Sequence, residues 1–208
     1  MLIAGVDEAG RGPLAGPVIA AAVVLAPCQF RVLLSEGLND SKKISASARE
    51  RLFARMSELG VVWAAQAASN VRIDRTNILR ATLWAMECAV SRLTVRPNLI
   101  VVDGNAYIPG IPRERQRVIP RADGLVPAVM AASVAAKILR DTVMTALDRV
   151  FPGYGFASHK GYPTASHRHM LDALGPSPIH RRTFGGKYYE DQMGRERKPR
   201  QKTLFPGE

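Results

Sequence analysis

Cysteine is almost missing from this chain of 208 residues: there are two, Cys28 and Cys88. No CxxC pair and no Cys/His cluster occurs, which excludes a zinc ribbon or a disulfide framework as the organising device. Each thiol stands alone in an apolar setting and reads as a buried structural cysteine. Long hydrophobic runs are missing too. The longest, Pro17 to Pro27, falls well short of the ~20 residues that a membrane-spanning helix needs. The N-terminus has no basic region, and the acidic pair Asp7-Glu8 appears early. No membrane association is expected, and the cytoplasm is the expected location. There is no internal repeat.

Acids are the third scarcity. Lys and Arg number 29 against 18 Asp and Glu, a net charge of +11. The stretch Lys187 to Glu208 holds six bases and four acids, so only +2 of that total belongs to it and +9 belongs to the body. A basic body suits a polyanion, either nucleic acid or an anionic membrane surface. A solvated basic surface would look the same, so charge alone does not choose. Hydrophobic residues at 47% and charged residues at 23% are ordinary for a globular chain, and the length suits one domain.

Periodicity gives the elements. Leu2 to Val6 reads as a strand, Gly10 to Gly16 as a Gly/Pro-rich loop, and Pro17 to Leu25 as a second strand. A short helix around Ala46 to Leu59 precedes a third strand, Val61 to Ala68. Leu79, Leu83, Met86, Val90 and Leu93 recur at helical spacing. Leu99 to Val102 is a compact strand and Gln116 to Ile119 a weaker one. Val129, Ala132, Ala136, Leu139, Val143, Leu147 and Val150 share one helix face. Its small residues Ala131, Ala132, Ser133, Ala135 and Ala136 permit close approach to a neighbour. A last helix is expected from Thr164 to Leu174. The order of strands and helices indicates one α/β domain with a mixed sheet.

Because acids are few, their positions are informative. Asp7 and Glu8 are expected where the first strand ends, Asp103 ends the strand Leu99 to Val102, and Asp123 precedes a helix. Ligands gather at strand ends in α/β sheets, so the four could converge. Clustered carboxylates repel unless cations sit among them. Mg²⁺ prefers such oxygen ligands, and two ions about 3.5–4 Å apart suit phosphodiester cleavage. Asp103-Gly104 and Asp123-Gly124 are, taken singly, also ordinary turn pairs. Asp7 and Glu8, adjacent on an apolar strand, should point to opposite faces.

The segment Gly5-Val6-Asp7-Glu8-Ala9-Gly10-Arg11-Gly12-Pro13-Leu14-Ala15-Gly16-Pro17-Val18 resembles the N-terminal signature of ribonuclease HII, the type 2 ribonuclease H family. Further blocks follow in the same order: Asn39-Asp40-Ser41-Lys42-Lys43, Val102-Asp103-Gly104-Asn105, and Asp123 with Ala131-Ala132-Ser133 and Ala136-Lys137. The last runs from His159-Lys160-Gly161-Tyr162-Pro163-Thr164 to His180-Arg181-Arg182-Thr183-Phe184. Where the family usually has Lys-Gly-Asp, this chain has Arg121-Ala122-Asp123.

The resemblance implies a ribonuclease H-like fold: a central mixed five-stranded sheet flanked by helices, with a helical C-terminal part. On that reading residues 1–186 form the catalytic domain and residues 187–208 a basic, flexible tail, in an expected monomer. It implies that Asp7, Glu8, Asp103 and Asp123 are catalytic and bind Mg²⁺ or Mn²⁺. It implies cleavage of the RNA strand of RNA–DNA hybrids, and nicks on the 5′ side of ribonucleotides embedded in duplex DNA.

Residue chemistry fits this. Glycines at Gly10 and Gly12, flanking Arg11, let backbone groups approach a ligand, and the 2′-hydroxyl that marks RNA is both donor and acceptor. In the family the tyrosine matching Tyr162 stacks near the ribose–deoxyribose junction, although a half-buried core tyrosine is the plainer alternative. Lys42 suits a phosphate contact. His159, His167, His169 and His180 are read as structural or phosphate-facing, since carboxylate-bound metal leaves histidine no necessary role. A binding module that has lost an acid is disfavoured because all four acids are present. An integrase or resolvase of the same fold would not need a reader of the 2′-hydroxyl. In the tail, Gln201-Lys202-Thr203-Leu204-Phe205 resembles the pentapeptide that docks bacterial repair enzymes on the sliding clamp. Gln201, Leu204 and Phe205 would be its anchors.

Overall fold

Alternation of small apolar residues decides which layer each strand residue serves. Strand β2 (Val18–Val24) is buried along its whole length. Val18, Ala20, Ala22 and Val24 belong to one core cluster, and Ala21 and Val23 to another on the opposite face. It therefore lies in the middle of the sheet. On one side it pairs antiparallel with β1 (Ile3–Ala9), and on the other with β3 (Val62–Ala68). Strand β1 pairs parallel with β4 (Leu99–Asp103), which pairs parallel with β5 (Gln116–Ile119). The order is β3-β2-β1-β4-β5, a mixed five-stranded sheet as expected. The computed structural model describes residues 1–39 and 44–184. Lys42, the segment 187–208 and its Gln201, Leu204 and Phe205 lie outside the described residues.

Seven α-helices follow in the described chain: α1 (Pro27–Ser35), α2 (Ala46–Glu58), α3 (Asn70–Thr76), α4 (Ile78–Ser91), α5 (Pro127–Val150), α6 (Phe156–His159) and α7 (Ala165–Leu174). Helix α4 covers one face of the sheet, where Ala81, Ala85, Met86 and Ala89 meet Ala4, Val6, Ile100 and Val102. Helix α5 lies on the other face, where Ala131, Ala132, Ala135 and Ala136 meet Ala21 and Val23. Leu33 of α1 and Leu52 and Met56 of α2 complete that layer. Ser45, Ser69 and Thr164 cap α2, α3 and α7, each accepting a backbone N–H of the first turn. No helix of the described residues is long and apolar enough to cross a membrane.

Three expectations need correction. Strand β1 continues through Ala9 because β2 stays paired with it as far as Ala9 and Ile19, so Asp7 and Glu8 lie inside the strand rather than at its end. Helices α1 and α3 are additional; α1 starts at a proline in its first turn, and Gln29 reaches back to the Ala26 N–H at 2.9 Å. The cysteines are not buried cores: Cys28 is exposed and Cys88 is half-buried.

Among the glycines of the described residues, the closest approach to another backbone is between β1 and α5. A Cβ added at Gly5 would lie 2.2 Å from the backbone of Ala128 and Val129, and backbone cannot step aside as a side chain can. Gly5→Ala is therefore expected to cost at least about 3 kcal/mol of stability, the upper end of overpacking effects. Urea unfolding of the variant checks this; a midpoint near that of the parent chain would refute the packing account.

Candidate active site

The period of two in β1 puts Gly5 and Asp7 on the α5 face, and Ala4, Val6 and Glu8 on the α4 face. In β4 the same alternation sends Val101, which packs with Val129, and Asp103 toward α5. Val6 and Val102 are register partners, so Asp7 and Asp103 are the next residues on two neighbouring parallel strands. Asp123 comes from a single 3-10 turn, Ala122–Gly124, that leads into α5. Asp7, Asp103 and Asp123 thus each present a carboxylate oxygen within 4.8 Å of the others. Asp7 and Asp123 are buried and Asp103 is half-buried.

Each carboxylate is held. Asp7 accepts the Glu8 N–H at 2.7 Å and a hydrogen bond from the Ser133 side chain. Asp103 accepts the Ala122 N–H at 2.7 Å. The position where the family has glycine does not need left-handed backbone here. The left-handed residue is Arg121 (φ 59°), and the Ala122 side chain fills a small core with Val101 and Val129. Burial, followed by the charges of Glu8 and Asp103, pushes Asp7 well above the usual carboxylate range; the Ser133 bond opposes this.

Glu8 stands beside this trio rather than within it. Its Oε1 lies 3.4 Å from Arg11 Nη1, and it lines a small recess with Asp103, Asn105 and Thr82. Of the four acids expected to converge, three do so and the fourth flanks them.

Asp7, Glu8, Gly10, Arg11, Gly12 and Tyr162 all line one groove of about 430 Å³, to which Arg49 and Lys137 bring positive charge. Tyr162 is 41% exposed at this groove. Gly10 has φ +99°, and a Cβ there would meet the Arg140 side chain at 2.0 Å. Two fully buried arginines brace this loop. Arg181 donates to the carbonyls of Gly10 (2.6 Å), Arg11 (2.9 Å) and Gly16 (2.9 Å). Arg140 donates to those of Pro17, Ala15 and Lys160. With the carbonyls turned inward, the loop is fixed at the wall of the groove.

The segment carrying Arg181 is itself strapped down. Asp74 on α3 accepts the N–H groups of Arg182 and Thr183, each at 3.0 Å. Sequence reasoning gave Arg140, Arg181, Ser133 and Arg49 no role. A long basic side chain ordinarily signals surface, and nothing local tells that these two arginines are buried. Lys42 lies outside the described residues.

Three oxygen donors so close together, one of them made protonation-prone by burial and then by the charges of Glu8 and Asp103, fit a hard divalent cation. A carboxylate trio able to hold a cation, at a groove that also carries Arg11, Arg49 and Lys137, suits a metal-dependent phosphodiester hydrolase. The ribonuclease HII family model matches residues 4–187. A ribonuclease HII from Nitrosococcus oceani is 50% identical over 183 residues, 88% of each chain. The solved ribonuclease H2 of Pyrococcus horikoshii superposes with a TM-score of 0.75 at 26% identity, covering 96% of this chain and all of the other. The ribonuclease HII of Archaeoglobus fulgidus, solved in complex with PCNA, gives 0.68 at 27% identity over 86% of this chain and 91% of the other. This chain belongs to the ribonuclease HII family. It is a ribonuclease H hydrolase, of a family that is divalent-metal dependent and cleaves RNA in RNA–DNA hybrids.

The raised Asp7 pKa has a stability consequence. A carboxyl whose folded pKa exceeds its unfolded value stabilises the fold below the unfolded pKa, near 3.8, and that stability is lost as pH rises. Without metal, Asp7→Asn should therefore raise stability at pH 7, because the variant carries no charge to bury there. The gain should shrink toward pH 4, and also on adding millimolar Mg²⁺, which stabilises only the parent. Thermal melts at the two pH values, with and without the ion, measure this; a less stable metal-free variant at pH 7 would contradict it.

Proposed function

We propose that this chain nicks duplex DNA on the 5′ side of embedded ribonucleotides, as well as cutting longer hybrids, and leaves a 3′-hydroxyl and a 5′-phosphate. The observation that carries this reading is the sharing of one groove by Asp7 and Glu8, the Gly10-Arg11-Gly12 loop and the exposed Tyr162 ring. Asp7, Asp103 and Asp123, with Glu8 beside them, would hold two Mg²⁺ or Mn²⁺ ions, which supply an activated water and stabilise the leaving oxygen. The water oxygen bonds to phosphorus, the P–O3′ bond breaks, and the released 3′-oxygen takes a proton. With the Gly10 and Arg11 carbonyls taken by Arg181, backbone N–H groups of Gly10 to Gly12 would meet the acceptor side of a 2′-hydroxyl. Tyr162 offers a flat face to the sugar of the next nucleotide. Arg11, Lys42 and the basic body suit the phosphates, and such work belongs in the cytoplasm of a bacterial cell.

A duplex carrying one ribonucleotide, incubated with Mg²⁺ or Mn²⁺, should be nicked 5′ to it. Asp7→Asn should abolish the nick while leaving duplex binding largely intact. Tyr162→Ala should slow it about tenfold to a hundredfold, the worth of a stacking contact at roughly 1–3 kcal/mol. Turnover by Asp7→Asn, or parental cutting by Tyr162→Ala, would refute the respective assignments.

The tail supports a second, separable proposal. Gln201, Leu204 and Phe205 form a glutamine followed by two adjacent apolar anchors in a basic, polar stretch, the form of a groove-binding linear motif. The Archaeoglobus relative was solved bound to PCNA. A tether to the sliding clamp would raise the local concentration of the nuclease on new DNA. A peptide of Arg197 to Glu208 should bind a purified bacterial clamp, and the Leu204→Ala/Phe205→Ala peptide should not. Equal binding, or none at high micromolar peptide, removes the tether.

A further inference from the structure

Behind the Tyr162 turn lie three buried histidines that the cleavage chemistry does not use: His159 and His167 from either side of the turn, and His180 from the strap. His159 and His167 are stacked, with centroids 4.2 Å apart, and Phe156 meets both edge-on. The hydrogen bonds among them favour one placement of the protons. Ser177 N–H can only donate, and it lies 2.8 Å from His180 Nδ1, so that nitrogen accepts, and the Ser177 hydroxyl, also at 2.8 Å, is then a second donor to it. In a neutral ring the proton of His180 then sits on Nε2, 3.0 Å from His167 Nε2. His167 Nε2 must accept it, which puts the His167 proton on Nδ1. That proton faces the Tyr162 carbonyl oxygen at 2.9 Å, a group that can only accept.

A single direction therefore satisfies the row: Ser177 N–H to His180, His180 to His167, and His167 to the Tyr162 carbonyl. A proton added to either ring would set two N–H groups against each other. The surroundings agree. Burial first, and then His167, pull His180 down to about 4, and burial lowers His167 as well.

The far end of this row is the turn that carries Tyr162. Its carbonyl also accepts the Thr164 N–H at 2.8 Å, so both lone pairs are used. The Gly161 N–H donates to His159 Nδ1 at 3.1 Å, leaving His159 Nε2 to donate to the Tyr154 carbonyl at 2.7 Å. The Gly161 carbonyl takes the Leu14 N–H at 2.8 Å, tying the turn to the loop that begins at Gly10. The Arg140 guanidinium carbon lies 5.6 Å from the Tyr162 ring centroid. The ring itself is exposed, so its backbone is what the fold can hold.

We infer that His180 and His167 are positioning residues for substrate recognition: a neutral, one-way hydrogen-bond row that sets the angle at which Tyr162 meets the nucleic acid. This rests on the recognition role given to Tyr162 above. The row does not touch substrate; it acts through the Tyr162 carbonyl.

Two measurements on the full chain test it. Long-range proton–nitrogen spectra of the metal-free protein at pH 7 should show His180 protonated on Nε2 and His167 on Nδ1, both neutral. A His167 proton on Nε2, or a charged ring, overturns the row whatever the role of Tyr162.

The second measurement is a double-mutant cycle on a single-ribonucleotide duplex. His167→Leu, which removes the donor, should slow cutting roughly two- to tenfold, the worth of one hydrogen bond. His167→Asn, whose amide can donate from the same place, should recover most of that loss at an equal melting temperature. With Tyr162→Ala in the background, His167→Leu should cost less than twofold, because its route of action is gone. Equal costs in both backgrounds would make His167 merely structural. A Tyr162→Ala chain that cuts like the parent would instead refute the role of Tyr162, and the tautomers would still be read independently.

Discussion

Everything in the site depends on how closely α5 can lie against β1. Helices normally pack on sheets through side chains, yet here the backbone of Ala128 and Val129 lies where a Gly5 Cβ would be. The alanines along α5 extend that close approach over Ala21 and Val23. Bringing the helix this near draws the 3-10 turn before it toward β1 and the end of β4, and so delivers Asp123 to Asp7 and Asp103. A bulkier helix face would hold Asp123 away and leave two carboxylates instead of three.

The cost of that convergence is electrostatic. Three carboxyl groups share a small volume, and burial and mutual repulsion keep Asp7 from ionising readily. The surrounding structure restrains them through groups that cannot move: the Glu8 and Ala122 N–H groups and the Ser133 side chain. Such a cluster is poised for a cation and unfavourable without one. This is the usual trade of stability for function at a binding site.

The walls of the groove follow a different logic. The loop from Gly10 to Gly16 and the turn at Tyr162 are irregular backbone, and irregular backbone near a core needs partners for its carbonyls. Arg140 and Arg181 supply most of these, each serving three carbonyls from distant parts of the loop. Arginine suits this because its fork has several fixed donors. The histidines do the same for the Tyr162 turn with a single proton each. The groove is thus walled by segments whose rigidity comes from outside themselves.

Sequence alone determined which residues could do chemistry and on which element most of them would lie. Asp103 closes a short apolar strand, Asp123 precedes a helix with a small-residue face, and Asp7 and Glu8 alternate sides on β1, because local pattern and the period of two suffice to show it. It did not show that β1 runs on past the acids, since that depends on pairing with β2. It did not show that α1 and α3 exist, that Cys28 faces solvent, or that Glu8 stands outside the carboxylate trio. Nor could it place Arg140, Arg181 and the three histidines in the interior. Those facts belong to the tertiary structure, because burial of a polar side chain is decided by which groups need it once the chain has folded, and the carbonyls that Arg140 and Arg181 serve lie 20 to 171 residues away.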